Sequence, residues 1–197
     1  MRTEVVWTSL RWAGIEHIVW TRDRDGTAHA ASVAVHALPE GTAHVRYDLA
    51  TDEAGHPRHV SVGVSGPSGD RHLSLTHDGR GTWTGADGRP LPELAGCTDV
   101  DISCTPLTNT LPINRLAAAT LPTADLRVAY VTVPTLEVRP VGQRYTRLTT
   151  GGTQAAYRYR SASFTADLTV DGHGLVIDYP GGWRRAGGPP DPPRSAP

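Results

Sequence analysis

Gly96-Cys97-Thr98-Asp99-Val100-Asp101-Ile102-Ser103-Cys104-Thr105-Pro106-Leu107-Thr108-Asn109-Thr110-Leu111-Pro112-Ile113-Asn114-Arg115-Leu116 is the stretch whose reading decides the fold. It holds the one good helix of the chain, predicted over Thr110 to Ala119. Thr108 or Asn109 is placed to cap that helix, and Pro112 fits its first turn, where a missing N–H costs nothing. Leu111, Leu116 and Ala119 fall roughly on one face with Ile113 beside them, and Pro122 closes the segment. Just upstream, Asp99 and Asp101 share parity, so an extended backbone puts both carboxylates on one face, ~7 Å apart, with Val100 and Ile102 on the other.

Outward from this run the chain alternates with period 2. Strands are predicted over residues 15–20, 31–36, 43–49, 58–64 and 71–76, with a short one over 80–85. Beyond the helix they resume over 127–133, 136–138, 144–148, 155–160, 164–170 and 174–179. Gly66-Pro67-Ser68-Gly69-Asp70, Asp78-Gly79, Asp87-Gly88, Gly151-Gly152 and Asp171-Gly172 supply turns. Gly63-Val64-Ser65-Gly66-Pro67-Ser68-Gly69 matches neither a nucleophile elbow nor a dinucleotide loop, and a strand follows it, so it reads as a hairpin loop. Roughly a dozen short strands imply a barrel, a sandwich or a rolled sheet, and a lone apolar helix among them suggests a sheet wrapped around it. Residues 1–185 are expected to form a single β-roll domain, and 186–197 a Gly/Pro-rich disordered tail.

Composition narrows the function classes. The 197 residues carry a formal charge of −1, which offers no field for nucleic acid. Lysine is absent, which removes Schiff-base and P-loop lysine chemistry. No apolar run approaches the ~20 residues of a membrane span, and the N-terminus lacks the apolar core of a signal peptide, so a cytoplasmic protein is expected. Cys97 and Cys104 read as buried reduced thiols. The nine histidines are scattered, with no metal-ligand spacing, so no metal and no cofactor is expected. His72 and His77 differ in parity and would face opposite sides of a strand.

The candidate ligand-binding residues are Glu16, Asp99, Asp101, Thr108, Asn109 and Arg115. The Asp99/Asp101 pair suits a cation or acid–base work. Its plainer reading is structural: Asp101 accepts bonds from Thr105 or Thr108, or pairs with Arg115. Glu16 faces away from Ile15, toward a polar cleft or toward water. Five tryptophans against one phenylalanine suit core packing, sugar stacking or a lipid cavity.

Several segments together carry a resemblance. Gly96-Cys97-x-Asp99-Val100-Asp101-Ile102, followed by Thr105-Pro106-x-Thr108-Asn109-Thr110-Leu111-Pro112-Ile113-x-Arg115-Leu116, resembles the hallmark of the putative glycolipid-binding family of bacterial proteins. Gly14-x-Glu16, Tyr130-Val131-x-Val133-Pro134, Gln143-x-Tyr145, Tyr157-x-Tyr159 and Asp178-Tyr179-Pro180 fit the same pattern, over about residues 5–185. Asn114 stands where a second basic residue is expected, and Cys104 is peculiar to this chain. The resemblance implies a spiral β-roll, an antiparallel sheet rolled around a single α-helix, and a homodimer. It transfers no catalytic residue, and the family's name rests on likeness of fold to lipoprotein carriers. The leading expectation is a non-enzymatic protein with an apolar cleft beside the helix for a lipid or glycolipid. The rivals are an enzyme using Asp99/Asp101 on a sugar or lipid derivative, and a dimeric interaction protein with no small ligand.

Overall fold

The computed structural model describes residues 1–149 and 153–187. Among the described residues, fourteen strands make one sheet. They are β1 Arg2–Ser9, β2 Gly14–Arg22, β3 Ala28–Leu38, β4 Gly41–Thr51, β5 Pro57–Ser65, β6 Arg71–His77 and β7 Trp83–Thr84, then β8 Asp99–Ile102, β9 Thr123–Val131, β10 Val138–Thr149, β11 Gln154–Ser161, β12 Phe164–Asp171, β13 Val176–Tyr179 and β14 Trp183–Gly187. One α-helix, α1, spans Thr110–Ala118 and follows a 3-10 turn at Leu107–Asn109.

The spatial order runs from β7 down to β1, across to β14, and down again to β8. Its two ends, β7 and β8, do not pair with each other. Among the described residues the sheet is therefore open, which corrects the expected roll: the order has two ends and no ladder that closes them on each other. A second correction concerns direction, because β8 pairs with β9 in parallel while the named neighbours elsewhere are antiparallel. Period-2 patterning sorts side chains onto faces. It does not say whether the outermost strands meet, and this explains the miss.

The alternation is realised closely. The buried positions of β3 are Ala28, Ala30, Ser32, Ala34 and His36; those of β4 are Ala43, Val45, Tyr47, Leu49 and Thr51. β1 buries Thr3, Val5 and Trp7, a strand the sequence reading did not assign. β14 was also missed, and it takes in Ala186 and Gly187, so the expected tail begins no earlier than 188. Residues 188–197 and the predicted Gly151-Gly152 turn lie outside the described residues.

The helix buries Thr110, Leu111, Pro112, Ile113 and Leu116. Neither predicted cap acts as one. The Asn109 backbone is already helical, and the 3-10 turn feeds straight into α1 without a side-chain cap. Its other end is a Schellman motif: Leu121 N–H donates to Leu116 O at 3.1 Å and Thr120 N–H to Ala117 O at 3.2 Å, with Thr120 at φ 55°. Cys97 and Cys104 are both buried and unpaired with each other, as the thiol reading has it.

Candidate functional site

Asp99 and Asp101 leave β8 for two different networks. Asp99 is 1% exposed and receives Arg115 Nη2 at 2.6 Å on each oxygen, with Thr98 Oγ1 at 2.9 Å. Asp101 receives Thr108 Oγ1 at 2.8 Å and Gln143 Nε2 at 2.6 Å. Burial pushes the Asp101 carboxyl up from its ordinary range, against the pull of those two bonds. Arg115, which the sequence reading offered to Asp101, serves Asp99. An acid–base pair needs both groups turned to one open pocket; here only Asp101 lines one, and Asp99 is sealed under Arg115. Asn109 is also committed, with Oδ1 accepting from Tyr145 OH at 2.8 Å and Nδ2 donating to Pro106 O at 3.2 Å.

Glu16 does not meet water. It is 1% exposed, and its Oε1 accepts from Tyr47 OH at 2.6 Å, Ser32 Oγ at 2.8 Å and Thr105 Oγ1 at 2.9 Å. Oε2 is buried with no partner. Burial dominates and raises the carboxyl to about 7, while the three hydroxyl bonds oppose it. Thr105 also accepts the Leu107 N–H at 3.0 Å, so Glu16 holds the loop between β8 and α1 against β2, β3 and β4. Close approach explains the neighbouring glycine. A Cβ on Gly14 would collide with His36 Nδ1, which accepts Trp12 Nε1–H at 2.9 Å.

The main concavity lies against that same loop. It is a cleft of about 370 Å³, within the size range of small-molecule sites. Asp101, Ile102, Ser103, Thr105 and Asn109 form its floor. Tyr130, Tyr159, Phe164, Tyr179 and Trp183 form an aromatic wall, and Arg11 and Arg139 add charge. The rings support one another: Tyr159 stands 6.1 Å from Phe164 and 6.2 Å from Tyr179, and Tyr179 stands 5.4 Å from Trp183. Burial pushes the Tyr159 and Tyr179 phenols well above their usual range, so both stay neutral donors. Trp183 Nε1 is buried with no acceptor. By contrast Trp7 Nε1 donates to Val176 O at 2.7 Å and Trp83 Nε1 to Cys97 O at 2.8 Å, as core tryptophans do.

Of the six residues expected from sequence, Asp101 and Asn109 reach this cleft. Thr108 and Glu16 stand one bond behind it, through Asp101 and Thr105. Asp99 does not line it, and Arg115 faces a separate pocket of about 140 Å³ beside Trp20, Gly55 and Leu111. The cleft is thus beside the loop that leads into α1, and the body of the helix does not line it.

A family model described as "Putative glycolipid-binding" matches residues 4–185. The chain belongs to this family. It is also similar to a solved structure of a DUF1089 family protein from Pseudomonas aeruginosa, at 38% identity and a TM-score of 0.74, over 87% of this chain and 91% of that one. Among curated proteins none matches. In this member of the family, no described helix is long and apolar enough to cross a membrane. No group of His, Cys, Asp or Glu among the described residues is placed to hold a metal ion. The central family motif builds the floor and its supports, and three of the five wall rings come from the other family-like segments. Tyr130, Tyr159 and Tyr179 stood within family-like segments but carried no assigned role. Arg11, Arg139 and Phe164 gave no sequence signal, since each comes from a different part of the chain.

Proposed function

We propose that this chain binds a glycolipid without transforming it, and that the sugar-bearing end lies in the aromatic cleft. The supporting observation is the wall of Tyr130, Tyr159, Phe164, Tyr179 and Trp183 above a floor of fixed polar groups. Sugar rings present apolar faces that stack on aromatic rings, and their hydroxyls take hydrogen bonds at the edges. Asp101 and Asn109 supply such edges, held rigid by Thr108, Gln143 and Tyr145. Glu16 and Thr108 act as supports of the floor, and Asp99 with Arg115 fixes the helix behind it. Family membership agrees with this reading.

Native mass spectrometry of the purified chain, before and after lipid extraction, tests the proposal. Titration with octyl β-glucoside below its micelle concentration adds a second arm, read by tryptophan fluorescence. Retained or added amphiphile, with a response lost in Trp183→Phe, is the expected result. No retained species and no response rejects the reading.

A further inference from the structure

The cleft carries more positive charge than a neutral sugar needs. Arg11 and Arg139 both line it. Arg11 donates Nε to Gly181 O at 3.0 Å and lies over Phe164 and Trp183, 5.6 and 5.5 Å from the ring centroids. Arg139 lies over Tyr130 at 5.1 Å. Among the described residues neither guanidinium has a carboxylate within 4.0 Å, whereas Arg115, Arg144, Arg158 and Arg185 each hold one. The acid in the lining, Asp101, directs its two oxygens to Thr108 and Gln143.

A guanidinium held over a ring by cation–π attraction keeps its N–H groups for other acceptors. The uncommitted charged groups of this wall are then donors: the Arg11 Nη atoms and the Arg139 fork. An ionised oxyanion accepts only, so it matches such a set better than a hydroxyl, which must also donate. Both guanidiniums line the same cleft, Arg139 over Tyr130 and Arg11 over Phe164 and Trp183.

Building on the glycolipid reading, we infer that the cleft selects an acidic head: a phosphate, sulfate or carboxylate borne on a sugar ring, the anion met by Arg11 and Arg139 and the ring by the aromatic wall. A charge-assisted contact to Arg is roughly twice as strong as a neutral one. Both arginines are exposed on one side, so salt weakens the preference.

Octyl β-glucuronide and octyl β-glucoside differ only at C6, carboxylate against hydroxymethyl, and make a matched pair of probes. Calorimetry at low salt is expected to show the glucuronide binding roughly tenfold tighter. In Arg11→Gln/Arg139→Gln that preference for the glucuronide over the glucoside falls to about twofold or less, whatever the absolute affinities. Should the double variant melt early, Arg139→Gln alone carries the test, since it leaves the Arg11 bond to the Gly181 carbonyl in place. Equal affinity for the two probes in the native chain overturns the charge inference and leaves the glycolipid reading standing. No binding of either overturns both. Free glucuronate binding as tightly as its octyl glycoside supports the acidic-head inference and counts against a lipid.

Discussion

Arg115 grips both oxygens of Asp99 through a single nitrogen, Nη2, at 2.6 Å each, while its Nη1 holds the Gly55 carbonyl at 2.8 Å. One side chain thus ties α1 to β8 and to the turn between β4 and β5. With 15% exposure for Arg115 and 1% for Asp99, the pair is largely out of water. Removing one partner of such a pair strands the other charge. Arg115→Ala is expected to cost about 3–5 kcal/mol in urea unfolding. A loss below about 1 kcal/mol would place the pair with ordinary surface bridges.

Glu16 makes stability fall as pH rises. Its folded pKa of about 7 lies above the ordinary 4.5, so the fold favours the neutral acid. That contribution is complete below the unfolded value and is lost as pH climbs through about 7. Asp101 shifts in the same direction, and His36 and His77, lowered mainly by burial, act oppositely. The difference between native chain and Glu16→Gln isolates the Glu16 share. The variant should gain on the native chain between pH 5 and pH 8, by several degrees in melting temperature. Parallel profiles for the two proteins would refute the assignment.

Asp101→Asn should preserve the cleft floor. An amide can accept from Gln143 and meet the Thr108 hydroxyl, so urea stability at neutral pH should change by less than about 1 kcal/mol. Removing one negative charge from the cleft lining should raise the affinity of octyl β-glucuronide relative to octyl β-glucoside, while the loss of an accepting oxygen weakens the glucoside itself. An unchanged ratio of the two affinities would show that the Asp101 charge does not act on the head group.

Phe164 stands at the cleft mouth, 36% exposed and leaning on Tyr159 and Tyr179. Phe164→Ala removes stacking surface that a ligand would use. A roughly fivefold to tenfold loss of affinity is expected, with only about 1 kcal/mol lost from the fold. Unchanged affinity for both octyl glycosides would move the sugar away from this wall.

Strand content was legible because inward positions such as Val45, Tyr47 and Leu49 alternate without interruption. β14 was hidden by composition: Trp183 to Gly187 follows Pro180-Gly181-Gly182 and runs into further Gly and Pro. Sheet closure depends on whether β7 meets β8, which no local pattern encodes. At the site, parity placed Asp99 and Asp101 together, but Arg115 and Thr108 chose between them according to the path of the 3-10 turn. Ser32 and Tyr47 became partners of Glu16 through register, with Tyr47 opposite Ser32 and Ser32 opposite Ile18. Arg11 and Arg139 meet the same cleft from β1's loop and from β10, a long-range convergence that sequence spacing does not record.

The pairing of β1 with β14 joins the first strand to the last in mid-sheet. Every other antiparallel ladder here links strands that follow one another along the chain, so each half is a meander able to zip up from local hairpins. The β1–β14 seam instead waits for the whole intervening polypeptide, and the Trp7 indole that crosses beside it finds its acceptor 169 positions away. Among the ladders of the sheet, the largest chain-closure entropy falls on this seam. It is therefore the step on which folding speed depends: amide protection should arise there last, and a chain still lacking β14 would present two bare mid-sheet edges at the very place where the finished protein has none.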